Sequence, residues 1–159
     1  MLLASGTEMR VRLADFGLAT LRASADRASR ISTLATTDSK RGTYSYMAPE
    51  MFASRTARAA AASRSTDVFA FGTLAWELLS SRLAWQGQTE AVRALALARG
   101  ESLSAAALPL ETPNSISALV ARCMALERHN RPRMAEAMSV IEQAHENLLS
   151  GRFVSGEAT

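Results

Sequence analysis

Asp15 ends a short apolar stretch, Leu13-Ala14, and is followed by Phe16 and Gly17. Carboxylate oxygens are the ligands a hard divalent cation takes, and a glycine beside such a residue frees the backbone to turn. Further along, Ser29, Ser32, Thr33, Thr36, Thr37 and Ser39 lie among Arg27, Arg30 and Arg41. A phosphate on one of these hydroxyls would be paired by arginine and would order the segment. The block Gly42-Thr43-Tyr44-Ser45-Tyr46-Met47-Ala48-Pro49-Glu50 follows directly. Other reactive groups are scarce. Cys123 is the only cysteine, and the histidines are His129 and His145. That excludes an intrachain disulfide and leaves too few ligands for a structural zinc.

The elements that must position these groups read as a short hairpin, a long loop and then helices. Residues 1–3 and 10–14 are expected as two strands joined by a turn around Ser5-Gly6. Residues 20–41 carry no apolar periodicity, and a loop of that length inside a compact domain usually serves a function. Residues 55–64 read as irregular or weakly helical. A first helix is expected over 66–80, with Ser65 or Thr66 as its N-cap and apolar residues almost all round, hence buried and central. A second starts after Thr89 and stops at Gly100. A third starts near Ser115, with Ile116, Leu119, Val120 and Cys123 at helical spacing. A fourth runs over 133–150, with Met134, Ala137, Met138, Ile141 and Leu148 on one face.

The chain has 159 residues, 48% hydrophobic and 21% charged, a globular composition with room for a core. Its formal charge is +3, and all basic residues except Lys40 are arginines, scattered along the chain. They read as a solvated surface, with no nucleic-acid partner expected. The longest apolar stretch, 68–79, is interrupted by Glu77 and falls short of the ~20 residues of a membrane span. With no basic, apolar leader at the start, a cytoplasmic location is expected.

Four blocks now carry a resemblance. Asp15-Phe16-Gly17 and Ala48-Pro49-Glu50 are similar to the two ends of the activation segment of eukaryotic-type protein kinases. Asp67-Val68-Phe69-Ala70-Phe71-Gly72 resembles the central-helix signature of the tyrosine-kinase-like group. Cys123-Met124-Ala125-Leu126-Glu127-Arg128-His129-Asn130-Arg131-Pro132 keeps the spacing of the family's Cys-Trp-x-x-Asp-Pro-x-x-Arg-Pro, with Met124, Glu127 and Arg128 as departures. The resemblance implies a mainly α fold, the C-terminal lobe of a kinase: a short N-terminal hairpin, an activation segment, then four or more helices around a buried central helix. It implies residues 1–150 as a partial kinase domain and 151–159 as a tail.

By the same resemblance Asp15 would hold Mg2+ bridging the phosphates of ATP. Gly42, Thr43 and Tyr46 would belong to the substrate-docking loop and point to serine/threonine specificity. Ser32, Thr33, Thr36, Thr37 and Ser39 are the regulatory candidates. Glu50 and Arg131 would form a structural ion pair. Asp67 would anchor the catalytic loop, or else act as a capping carboxylate at the helix start. Trp85 reads as core.

Several groups the family needs have no counterpart. The only lysine is Lys40, which lies in the long loop, and none of Asp15, Asp26, Asp38 and Asp67 follows His-Arg. No Gly-x-Gly-x-x-Gly occurs. Met1-Leu2-Leu3 matches the strand that follows the family's second metal-binding asparagine, so a truncated gene model or split reading frame is expected. Phosphoryl transfer depends on several groups acting together. The chain alone is therefore expected to be inactive and to bind ATP and Mg2+ weakly. It is also expected to associate with a protein substrate or partner kinase through exposed apolar surface. The alternative is a non-catalytic kinase-like interaction or regulatory module.

Overall fold

The computed structural model describes residues 2–5, 8–11, 45–52 and 63–151. It divides into two compact units, residues 1–36 and 37–159. In the first unit β1 (Leu2–Ser5) pairs antiparallel with β2 (Glu8–Val11), in the register Leu2 to Val11 and Ser5 to Glu8. The expected strands are thereby corrected: Ser5 belongs to a strand rather than the turn, and the second strand starts at Glu8. An antiparallel ladder continues wherever backbone groups face each other, so apolar pattern alone misplaces its ends.

The second unit is helical: α1 (Arg64–Ser80), α2 (Glu90–Ala98), α3 (Asn114–Cys123) and α4 (Met134–Leu149). Short 3-10 turns lie at Pro49–Phe52, Ala105–Ala107 and Arg128–Asn130. The start of α1 corrects the expected one. Its cap is Ser63, whose N–H donates to Thr66 Oγ1 at 3.1 Å while the Thr66 hydroxyl donates to the Ser63 carbonyl at 2.6 Å. The Ser63 N–H is thereby satisfied, and the Ser63 carbonyl, which also accepts from the Thr66 and Asp67 N–H groups, is held at the helix start. Helix α2 begins as its sequence suggests: Thr89 accepts from the Val92 N–H at 3.3 Å. Gly100, at φ +85°, ends the turn that follows.

Helix α1 feeds two apolar clusters. Phe69 and Trp76 join Ala48, Ala84, Leu97, Leu108, Val120 and Met124, while Val68 packs with Leu119, Cys123 and Ala137. Gly72 permits the approach of α3: a Cβ there would lie 2.6 Å from Cys123 Cβ. Trp76 Nε1 donates to the Ser104 carbonyl at 2.9 Å, so its indole is both buried and satisfied.

Two expected faces are corrected. Helix α1 is central but not covered all round, because Leu74 and Leu78 are 45% and 72% exposed. On α4 the residues packed inward are Ala137 and Ala144, with Val140 beside them, whereas Met138 and Leu148 are each 52% exposed. Met134 and Ile141 are exposed as well. Alanines let the helix axis approach closely, and the longer side chains one position round the helix are then left outside. Among the described residues, no helix is long and apolar enough to cross a membrane.

Candidate functional site

The described part of the site is the segment 45–52, which three side chains tie to three different elements. Tyr46 donates its hydroxyl to Glu77 Oε2 on α1 at 2.5 Å. That bond, then partial burial and the Glu77 charge, push the Tyr46 phenol up to about 12. Met47 accepts from Arg93 Nη2 on α2 at 2.6 Å. Glu50 receives Arg131 in a two-pronged pair, Nη1 to Oε1 at 2.8 Å and Nη2 to Oε2 at 2.9 Å.

Arg131 lies in the turn between α3 and α4, with its side chain fully buried. Its Nε donates to the Ala125 carbonyl, and the terminal nitrogens also reach the carbonyls of Ser65 and Leu126. With the two bonds to Glu50, all five N–H donors of the guanidinium have acceptors. Its flat face lies 5.0 Å from the Phe69 ring centroid. Burial by itself raises the Glu50 carboxyl. The Arg131 bonds, the backbone and the charges of Arg131 and Arg128 outweigh this and hold it below its ordinary value. The pair closes one end of the segment onto the start of α1.

Asp67 sits in the first turn of α1 with an exposed side chain. It does not cap the helix, since Ser63 and Thr66 do; the capping role is corrected on that ground. It lines a cavity of about 760 Å3 shared with Arg64, Arg131, Pro132, Arg133 and Met134. Trp85 is half-buried against the core, at φ +56°. Cys123 is wholly buried, and burial pushes its thiol up to about 11, so it is no nucleophile at neutral pH.

Asp15, Gly42, Thr43, Ser32, Thr33, Thr36, Thr37 and Ser39 lie outside the described residues, as do the 20–41 loop and residues 152–159 of the tail. The structure therefore brings together Tyr46, Glu50 and Arg131 with α1 and says nothing of the metal and regulatory candidates. Two participants went unnamed in the sequence. Glu77 showed only as an interruption of the apolar run 68–79, and Arg93 as one more surface arginine. The signal for Arg93 was present: it shares a helical stripe with Ala96 and Leu97.

The family model described as protein tyrosine and serine/threonine kinase matches residues 1–141. The chain is 30% identical over 152 residues to the serine/threonine/tyrosine-protein kinase HT1 of Arabidopsis thaliana, covering 96% of this chain and 35% of that one. It is 31% identical over 141 residues to human mitogen-activated protein kinase kinase kinase 11, covering 87% of this chain and 14% of the relative. A calcium/calmodulin-regulated receptor-like kinase 1 of Arabidopsis thaliana is 28% identical, with 84% of this chain and 29% of the relative covered. The chain thus spans about a third or less of the length of these relatives. With the docked 45–52 segment and the buried pair at its end, this match places the chain in the protein tyrosine and serine/threonine kinase family.

Proposed function

We propose that this chain is the C-terminal portion of a serine/threonine protein kinase that transfers phosphate from Mg2+-bound ATP to protein hydroxyls. The observation that carries the reading is the Glu50–Arg131 pair, which seats the segment after Gly42-Thr43 on the helical unit. In that enzyme Asp15 holds the magnesium, Gly42, Thr43 and Tyr46 shape the docking of the protein substrate, and the 20–41 hydroxyls regulate. On its own the chain has no phosphotransfer activity. Its one lysine, Lys40, follows Asp15 in the sequence, whereas the family's ATP-holding lysine precedes that aspartate, and no aspartate follows His-Arg to serve as base.

A second reading rests on a separate observation. Leu74, Leu78, Met138 and Leu148 are exposed, as they would be in a non-catalytic module that binds another protein. Radiolabelled ATP and myelin basic protein separate the two. The 159-residue chain alone should give no label. A chimaera that places it after the matching N-terminal kinase portion of the Arabidopsis HT1 relative should label serine and threonine, and Asp15→Asn should abolish that label. Labelling by the chain alone overturns its inactivity, and a folded but inert chimaera favours the module.

A further inference from the structure

Arg93 lies on the packed face of α2 with 2% of its surface exposed. Nη2 donates to the Met47 carbonyl, but among the described residues Nε and Nη1 have no hydrogen-bond partner. The guanidinium lies over two rings, 5.2 Å from the Phe52 centroid and 5.3 Å from that of Trp85. Burial pushes it down to about 10, so it is still a cation at neutral pH. A buried cation with donors left over is costly, whereas an apolar side chain would fill the same space at less cost. Volume therefore does not account for an arginine at this place.

The contacts around it close a circuit. Tyr46 donates to Glu77 Oε2, and Glu77 Oε1 accepts from the Ala84 backbone N–H at 2.7 Å. Trp85, the next residue, stacks on Arg93, and Arg93 returns to Met47, the neighbour of Tyr46. Adjacent residues 46 and 47 are thus joined to adjacent residues 84 and 85 by an acid from α1 and a base from α2. Trp85 holds a left-handed backbone that a residue with a Cβ seldom adopts, so its surroundings enforce its place. Arg131 pins the far end of the segment, with every donor used; Arg93 pins the near end.

We propose that Arg93 is the positioning residue of the 45–52 segment: it fixes the direction of the Met47 carbonyl and holds the Trp85 loop against it, so the segment is pre-organised before anything binds. The clamp stands on this geometry; its bearing on a protein substrate rests on the function proposed above.

Hydrogen exchange measured by mass spectrometry on the full chain tests it, with Arg93→Met and Arg93→Lys beside the unaltered protein. Methionine keeps the apolar volume and loses the donor and the flat cation. Exchange at amides within 46–52 and 84–88 should rise about tenfold in Arg93→Met, with 116–123 and 137–149 unchanged. Lysine can still donate to Met47 but has no flat cation to lay over the rings, so it should fall between the two. Unchanged or stronger protection of 46–52 in Arg93→Met assigns a space-filling role and overturns the proposal. A rise spread evenly over all helices does the same. Should Arg93→Met fail to fold, Arg93→Lys decides, and unaltered exchange at 46–52 overturns the clamp. Exchange requires no phosphoryl transfer, so an inert chimaera and a failed clamp are separate results.

Discussion

Arg131 grips the Glu50 carboxylate with both terminal nitrogens, at 2.8 and 2.9 Å, from a side chain with no exposure to solvent. The two residues are 81 positions apart, and the pair joins the end of the 45–50 block to the turn between α3 and α4. Removing the acid strands a buried cation; removing both charges together does not.

Glu50→Gln or Glu50→Ala should therefore cost about 3–5 kcal/mol, while Glu50→Gln combined with Arg131→Met recovers part of the loss. Urea unfolding of the single and double variants provides the check. Equal losses in all three would show that the charge pair is not what the site depends on.

The same carboxylate sets an acid dependence. Its folded pKa is lowered, so the stability it contributes is present above the ordinary value of 4.5 and lost as pH falls through the folded one. Melting temperature followed downward from pH 5 should drop more steeply in the native chain than in Glu50→Gln.

Tyr46 acts at the opposite end of the scale. Its folded pKa of about 12 lies above the ordinary 10, so its stabilising share is complete below pH 10 and disappears as pH rises to 12. Tyr46→Phe should lose about 1–3 kcal/mol at neutral pH, since hydrogen bonds to charged groups fall in that range. Its stability should then vary less than the native chain's between pH 10 and 12. An unchanged alkaline profile would remove Glu77 as the partner that matters.

Gly72 sits where α1 meets α3, and even one methyl group would press on Cys123 Cβ and the Met124 side chain. Gly72→Ala should cost about 1–3 kcal/mol by overpacking, despite alanine's better helix propensity. A variant more stable than the parent would mean the helices have room to separate.

On α4 the exposed stripe makes a contrasting forecast. Met138→Lys together with Leu148→Glu should change stability by no more than about 0.5 kcal/mol per site, the range of surface substitutions. Self-association in sedimentation experiments should fall at the same time. A loss of core size, about 2–5 kcal/mol per residue, would put those side chains inside.

Much of this was legible one residue at a time. Thr89 and Gly100 announced the limits of α2 because a cap and a left-handed turn are local demands. The start of α1 was misplaced because Ser63, Ser65 and Thr66 all suit a cap, and only the reciprocal bonds of Ser63 and Thr66 choose among them. The face of α4 was misread for another reason. Met138, Ile141 and Leu148 are as apolar as any core residue, but the closeness of α3 to Ala137 decides who is covered.

The family, the order of the elements and the identity of the acid and base at positions 50 and 131 follow from residue type and spacing. Only the tertiary structure shows the partners that the resemblance leaves out: Glu77 for Tyr46, Arg93 for Met47 and the three carbonyls around Arg131. Arg93 and Arg131 are the same side chain in the sequence, yet Arg131 has every donor paired, two with a carboxylate and three with carbonyls, whereas Arg93 has two nitrogens without a partner among the described residues. These further partners are set by distant segments brought together, which local residue type and spacing do not record.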